Sequence, residues 1–290
     1  MSKENIATMV SALSSGGLFL LIISLRLDFI FMFVATLPLF SVGLSQNAKV
    51  ALRAGALATL FVAFITASIS AVITFFAVFV LPCWALCEMA LRNQPVQIHP
   101  TITDARLWYP TGLITLHLAV YGCVMLAVTT AMFATQDSNL PTALSSTLEE
   151  VMTDLKTEYN FEINAQPSML AFMICALVIW IWEILLLASA WLVNRSLLKK
   201  GISKRPSLMI TPYIMPNWLL SLMGICAVAS LIGGESMSFL GKSCIIILFL
   251  PYFFQGLAML HILTIRLPHR KILLFFVYTS MALLLWPAFA

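Results

Sequence analysis

Long apolar blocks separated by short polar breaks run along nearly the whole chain. They fall at residues 7–25, 29–44, 54–70, 72–91, 113–133, 168–193, 218–232, 243–265 and 272–289. A transmembrane helix needs about 20 apolar residues at roughly 1.5 Å each, so the pattern predicts nine crossings of a bilayer. Only the third and fourth blocks join without a break. One helix over residues 54–91 would be roughly 57 Å long, about twice the hydrocarbon thickness. Two helices with a tight turn near residues 68–74 are therefore expected, with eight spans and one re-entrant segment as the alternative. The fold class is all-α: a polytopic transmembrane helix bundle that forms a single membrane domain over residues 1–290.

Composition agrees with the pattern. The chain is 61% hydrophobic and 10% charged, with a mean hydropathy of +0.99. No soluble domain of this length could hide so much apolar surface from water, so its solvent is lipid. Charge then sets orientation, because lysine and arginine near span ends stay in the cytoplasm. With nine spans and the N-terminus inside, thirteen basic residues lie inside: Lys3, Lys49, Arg53, Arg92, Arg106, Arg195, Lys199, Lys200, Lys204, Arg205, Arg266, Arg270 and Lys271. Only Arg26, Lys156 and Lys242 lie outside. This bias accounts for the net charge of +4 without a nucleic-acid partner. The first block runs on to Arg26 and Asp28 with no small-residue cleavage site, so it reads as an anchor rather than a signal peptide. The expected location is the bacterial cytoplasmic (inner) membrane.

Two connections stand out. The outside loop at 138–163 carries Leu140, Leu144, Leu148, Val151, Met152, Leu155 and Tyr159 at helical spacing, with Asn139 and Pro141 as a helix start. Its polar side holds Glu149, Glu150, Asp154 and Glu158. Helices that lie on anionic lipid carry lysine and arginine there instead. An acidic face points to packing on the protein's own outer surface, as a cap or lid, or on a partner. The inside loop at 194–206 has five basic residues and no acidic one. It reads as a topology determinant touching anionic headgroups, or as a docking site for a cytoplasmic partner.

Among individual residues, Glu183 matters most. It lies 12 residues from Arg195 and 15 from Ser168, near the bilayer middle. An ionisable side chain there costs several kcal/mol alone, so it should face the bundle interior or a cavity. It is protonated, hydrogen-bonded to polar side chains, or paired with a cation or basic ligand. Gln255 lies at similar depth, 11 residues before Arg266, and Tyr252 shares its face. Pro251 one turn earlier removes a helix hydrogen bond, so a free carbonyl is expected nearby. Glu183, Gln255 and Tyr252 would line one polar pocket if their helices touch; the alternative is ordinary interhelical hydrogen bonding.

Ser11, Ala12, Ser15 and Gly16 form two small-xxx-small pairs that let another helix approach, from this chain or from another subunit. His117 and His261 lie near the cytoplasmic face and need no ligand role. Glu88 and Arg92 are spaced as a local ion pair. The six cysteines lie in or at the edges of apolar spans without metal or redox spacing, and read as small buried hydrophobes. No phosphate loop, zinc-protease or hydrolase motif occurs, so no cofactor, metal or enzymatic activity is expected.

Three segments resemble a known family. They are Trp108-Tyr-Pro-Thr-Gly112; Trp191 to Pro206 followed by Met215-Pro-Asn-Trp218; and Pro251-Tyr-Phe-Phe-Gln-Gly-Leu-Ala-Met-Leu-His261 with Arg270 and Tyr278 downstream. In this order they resemble the YybS-like family of multi-pass bacterial membrane proteins of unknown function, grouped with the substrate-binding (S) components of energy-coupling-factor transporters. The resemblance implies capture of a small molecule from outside, with a coupling subunit and an ATPase as partners. A small-xxx-small motif in the first helix would contact the coupling subunit, a role open to Ser11/Ser15 and Ala12/Gly16, although these are not the usual alanine pair. Nine spans also exceed the six of a typical S component. The expected function is thus a small-molecule-binding transporter subunit. The alternative is a membrane scaffold or assembly protein that docks a cytoplasmic partner through its basic loop.

Overall fold

The structure, a computed structural model, describes residues 3–26, 29–95, 106–134, 139–159, 166–206 and 215–285. Its helices are α1 (Lys3–Ser24), α2 (Leu37–Ser45), α3 (Ala48–Thr66), α4 (Ile69–Thr74), α5 (Leu81–Leu91), α6 (Thr111–Ala134), α7 (Leu140–Tyr159), α8 (Pro167–Lys199), α9 (Trp218–Ile232), α10 (Glu235–Leu263) and α11 (Arg270–Leu285). A 3₁₀ stretch, Phe29–Thr36, leads into α2, and a π-helical stretch, Phe75–Val80, joins α4 to α5. Two short strands, β1 (Asn93–Pro95) and β2 (Arg106–Trp108), pair antiparallel with Asn93 opposite Trp108.

Six helices are long and apolar enough to cross a membrane: Glu4–Ser24, Ala48–Thr66, Ile69–Leu91, Thr111–Ala134, Pro167–Lys199 and Glu235–Leu263. Only 28–44% of the apolar window of each is buried inside the protein. The remaining apolar side chains point outward, with Phe64 85% and Ile69 79% exposed. Such faces are stable only against lipid. The apolar helices Phe33–Ser45 and Trp218–Ile232 are shorter.

The joined third and fourth blocks are two helices. The break comes at Ala67–Ser68, at the start of the expected turn region. Ala67 adopts the left-handed conformation (φ 49°) that ends helices, and its N–H donates to the Ala63 carbonyl. Ser68 then caps α4 by accepting from the Ala71 N–H. The chain turns back, so Val80 packs on Gly55 of α3.

The segment before it runs back between two helices of like direction. Glu4 pairs with Arg53, and Gly16 meets Ala58 and Phe61, so α1 and α3 run in the same direction. The 29–45 segment between them must therefore return the full distance. Eight 3₁₀ residues rise roughly 16 Å and nine α residues roughly 14 Å, about the hydrocarbon thickness. The looser 3₁₀ rise supplies the length that 17 α-helical residues would lack.

Two apolar clusters fill the interior. One is aromatic, with Phe19, Phe33, Phe75 and Phe79 in mutual ring contact. The other gathers Leu116, Leu219, Ile247 and Leu248 where α6, α9 and α10 meet. Helix α10 runs parallel to α8: Ser243 Oγ donates to the Phe172 carbonyl and Trp180 Nε1 to that of Ile246.

Prolines set the detail of the packing, because lipid offers no water to a carbonyl that has lost its helical donor. The Leu81 N–H donates to the Phe76 carbonyl in the π register, so the next donor in line, for Ala77, would be residue 82. In the α register that same residue would serve Val78. Residue 82 is proline and has no N–H. Tyr121 of α6 donates its hydroxyl to Ala77 at 2.6 Å, and Trp182 Nε1 of α8 donates to Val78 at 3.1 Å. Pro38 does the same to the 3₁₀ stretch, where it should have served Ala35 and Ser15 Oγ donates instead at 2.6 Å. Replacing Tyr121 by Phe keeps the ring but strands the Ala77 carbonyl. It should lower stability by about 1–3 kcal/mol, read as a drop in the thermal midpoint of the purified protein, whereas Tyr109→Phe should change little.

Candidate functional site

Glu183 lies where α6, α8 and α10 meet and is 1% exposed. Its side chain is aimed at Gly122 of α6. A Cβ at Gly122 would stand 2.8 Å from Glu183 Oε1, 2.7 Å from Ile179 Cγ2 and 3.6 Å from Ile247 Cγ2. Only a glycine lets the three helices close around the carboxyl. Among the described residues, Glu183 Oε1 has no hydrogen-bond partner. The third residue at the junction, Ile247, is four before Pro251, so its carbonyl is the one that loses its helical amide. A carboxyl oxygen and a residue with a donor-deprived carbonyl thus share one small region of an apolar interior.

Gly122 also lines a cavity of about 440 Å³ between α6 and α8, within the size range of small-molecule sites. Ile179 and Trp182, four residues and one residue before Glu183 on α8, lie in its wall. Its far side is closed by Leu140 and Leu144 of α7. Apart from Thr129 and Cys175 the lining is carbon-rich, with Trp182 already bonded to Val78.

The outer helix expected from the 138–163 pattern is α7, and it lies against the bundle. Leu144 and Leu148 pack on the second cluster, and Thr142 Oγ1 donates to Glu235 Oε1 at the start of α10. Glu149, Glu150 and Asp154 face outward. Val151, counted in the apolar stripe, is 46% exposed, so the buried stripe covers the first half of the helix. The side chains of Leu155, Glu158 and Tyr159, and residues 160–163, lie outside the described residues.

Helices α8 and α10 touch, but the three polar residues on them stay apart among the described residues. No hydrogen bond links Glu183 to Gln255 or Tyr252, and none of the three lines the cavity. Gln255 is eight residues beyond Ile247, roughly 12 Å along the helix. Tyr252 packs on the second apolar cluster.

The small residues of α1 are covered by the chain itself. Ser11, Ala12 and Ser15 are buried, Ser15 is bonded to Ala35, and a Cβ at Gly16 would lie 2.9 Å from Phe61. The close approach they permit is to α3 and the 3₁₀ stretch of the same chain.

Two other groupings depended on tertiary contacts that spacing does not reveal. His261 Nε2 is 2.7 Å from the Tyr278 hydroxyl and its Nδ1 is 3.3 Å from Arg270 Nη2, which locks the α10–α11 corner. His117 Nδ1 bonds the Leu113 carbonyl of its own helix at 2.6 Å. Arg205, one of the five loop cations, turns inward and is 7% exposed. It donates to the carbonyls of Ala90 and Tyr109 at 2.9 and 3.1 Å. Lys204 bonds the Gln46 carbonyl at the end of α2. A cation at a helix C-terminus meets the negative end of the helix dipole. Two of the five loop cations therefore clamp the ends of α2 and α5. Glu88 and Arg92 form the expected i,i+4 pair at 3.9 Å. Among the described residues, no three His, Cys, Asp or Glu side chains come together to hold a metal ion.

No protein-family model matches this chain, and no curated protein or solved structure shows significant similarity to it. Gly122→Ala tests the geometry of the junction. The added methyl must displace Ile179 or the Glu183 carboxyl. An expected loss of about 1–3 kcal/mol in thermal stability should be relieved in part by a second change, Ile179→Ala, in a double-mutant cycle.

Proposed function

We propose that this chain is a bacterial inner-membrane protein that binds a small molecule, as a subunit of a transporter resembling an S component. The observation that carries the reading is the cavity under α7, lined by Gly122, with Glu183 Oε1, which has no hydrogen-bond partner among the described residues, 2.8 Å from where a Gly122 Cβ would stand. Such a site suits a ligand with an apolar body and one cationic or hydrogen-bond-donating group. An apolar wall with few polar groups is the usual make-up of a small-molecule site, and an intramembrane carboxyl with no partner is a default candidate for function. Glu183 is the polar contact, α7 the cover, and Gln255 and Tyr252 a second polar level further along α10.

In this reading the chain crosses the membrane nine times with its N-terminus in the cytoplasm. Capture is from outside and release inward, driven by a partner ATPase. The coupling subunit would meet a surface other than the α1 stripe, which α3 already fills. The competing scaffold reading relies on the basic loop. Lys204 and Arg205 are engaged in the chain's own helix ends, which leaves Arg195, Lys199 and Lys200 for a partner.

Native mass spectrometry of the protein extracted gently from its own membrane should show a retained small molecule. Glu183→Gln, which keeps shape and removes charge, should lower its retention about tenfold or more without loss of folded protein. Unchanged retention would remove Glu183 from the site, and an empty wild-type protein carrying a non-transport partner would favour the scaffold. Orientation has a separate test in intact cells. In a background without reactive native thiols, a membrane-impermeant maleimide should label Ser146→Cys directly and Lys200→Cys only after permeabilisation. The reverse pattern would invert the topology.

A further inference from the structure

A groove of about 270 Å³ runs between α5 and α6. Leu81, Trp84, Ala85 and Glu88 line it on one side, His117 and Leu118 on the other. It follows α5 to the end of the apolar helix Ile69–Leu91, where Arg92 forms its last wall and the exposed strand β1 begins. From Leu81 to Arg92 the chain rises roughly 16 Å, about one leaflet of hydrocarbon. The groove therefore grades from carbon at its deep end to charge where the apolar helix stops. Arg92 and His117 are exposed, so this end opens outward.

Its polar groups do not consume one another. Glu88 and Arg92 approach no closer than 3.9 Å, beyond hydrogen-bond length, and neither side chain makes a hydrogen bond among the described residues. His117 Nδ1 bonds the Leu113 carbonyl, which can only accept, so Nε2 is the accepting edge of the neutral ring. Trp180 and Trp182 both donate their indole N–H to a backbone carbonyl. Trp84 Nε1, one turn below Glu88, donates to none among the described residues. A tryptophan packed into a protein normally finds an acceptor, and this one lines the groove without one.

An amphiphile with a zwitterionic headgroup meets each of these groups. Adjacent opposite charges on α5 complement adjacent opposite charges on the headgroup. A phosphate suits the donor fork of Arg92. A primary ammonium can donate to both Glu88 and His117 Nε2. An ester carbonyl lies deeper than the headgroup, at the level of Trp84, and an acyl chain covers Leu81, Ala85 and Leu118 beyond it. The same groups disfavour the other common headgroups. A purely anionic one would set its charge beside the Glu88 carboxylate, and a quaternary ammonium has no N–H to donate.

We propose that this groove binds one molecule of phosphatidylethanolamine from the adjoining leaflet, with its phosphate on Arg92 and its ammonium on Glu88. The site is separate from the cavity beside Glu183, with which it shares no lining residue.

The test uses the full chain in nanodiscs of phosphatidylethanolamine, phosphatidylcholine and phosphatidylglycerol in equal parts and with the same acyl chains. Native mass spectrometry then reads the lipid that stays bound. Wild type should retain one phosphatidylethanolamine, favoured about tenfold over either other lipid. Glu88→Gln should lose that preference. Ala85→Phe, which fills the groove from its α5 wall, should lose the retained lipid. Equal retention of the three lipids by wild type, or a preference for phosphatidylglycerol, overturns the proposal whatever the variants do. So do Glu88→Gln and Ala85→Phe proteins that melt like wild type and hold phosphatidylethanolamine equally well.

Discussion

Every backbone carbonyl that lies in lipid must find a donor within the protein, and the interior of this bundle is organised by that requirement. Prolines 38, 82 and 251 each remove a helical donor in the middle of an apolar block. For the first two, the missing bond is replaced from a different helix: Ser15 serves the 3₁₀ stretch, and Tyr121 with Trp182 serves the π stretch. A local defect in one helix thus becomes a long-range tie. The π stretch is joined by these bonds to α6 and α8, whose stacked Tyr121 and Trp182 rings (centroids 6.1 Å apart) bridge the two parts of the interior. Apolar contact alone gives no such direction, because lipid tails are as apolar as leucine.

The same demand operates at the basic end, where helix C-termini leave carbonyls without partners. Arg205 and Lys204 fill that need for α5 and α2. A cluster of positive charge is thereby given a structural task. Of the five cations in the loop only Arg205 is drawn inside; Lys204 bonds its helix end from the surface, and Arg195, Lys199 and Lys200 are exposed.

Glu183 is the exception that gives the bundle its chemical interest. The nearby tryptophans and tyrosine are satisfied, while one carboxyl oxygen in a three-helix junction has no partner among the described residues. Hydrophobic residues of similar size would pack there without the desolvation cost. Gly122 gives up side-chain packing so that the carboxyl fits, and Pro251 deprives the carbonyl of the adjacent Ile247 of its donor. Three departures from an ordinary apolar interior thus meet at one point.

The sequence by itself determined the membrane-compatible apolar character and the helical class, because these depend on block length and composition. It placed α9 at residues 218–232, found the break between α3 and α4, marked the outer helix by its stripe, and singled out Glu183 from the cost of a carboxyl in hydrocarbon. It could not decide which helices touch. Periodicity says little where both protein-facing and lipid-facing sides are apolar, so the partner of Glu183 was sought at Gln255 and Tyr252, while the junction in fact involves Gly122 and Ile247. The contact between α1 and α3, the inward turn of Arg205 and the meeting of His261 with Tyr278 and Arg270 were likewise decided by tertiary structure. Each joins residues far apart along the chain, and what brings them together is a packing or hydrogen-bond demand of one helix that only another helix can meet.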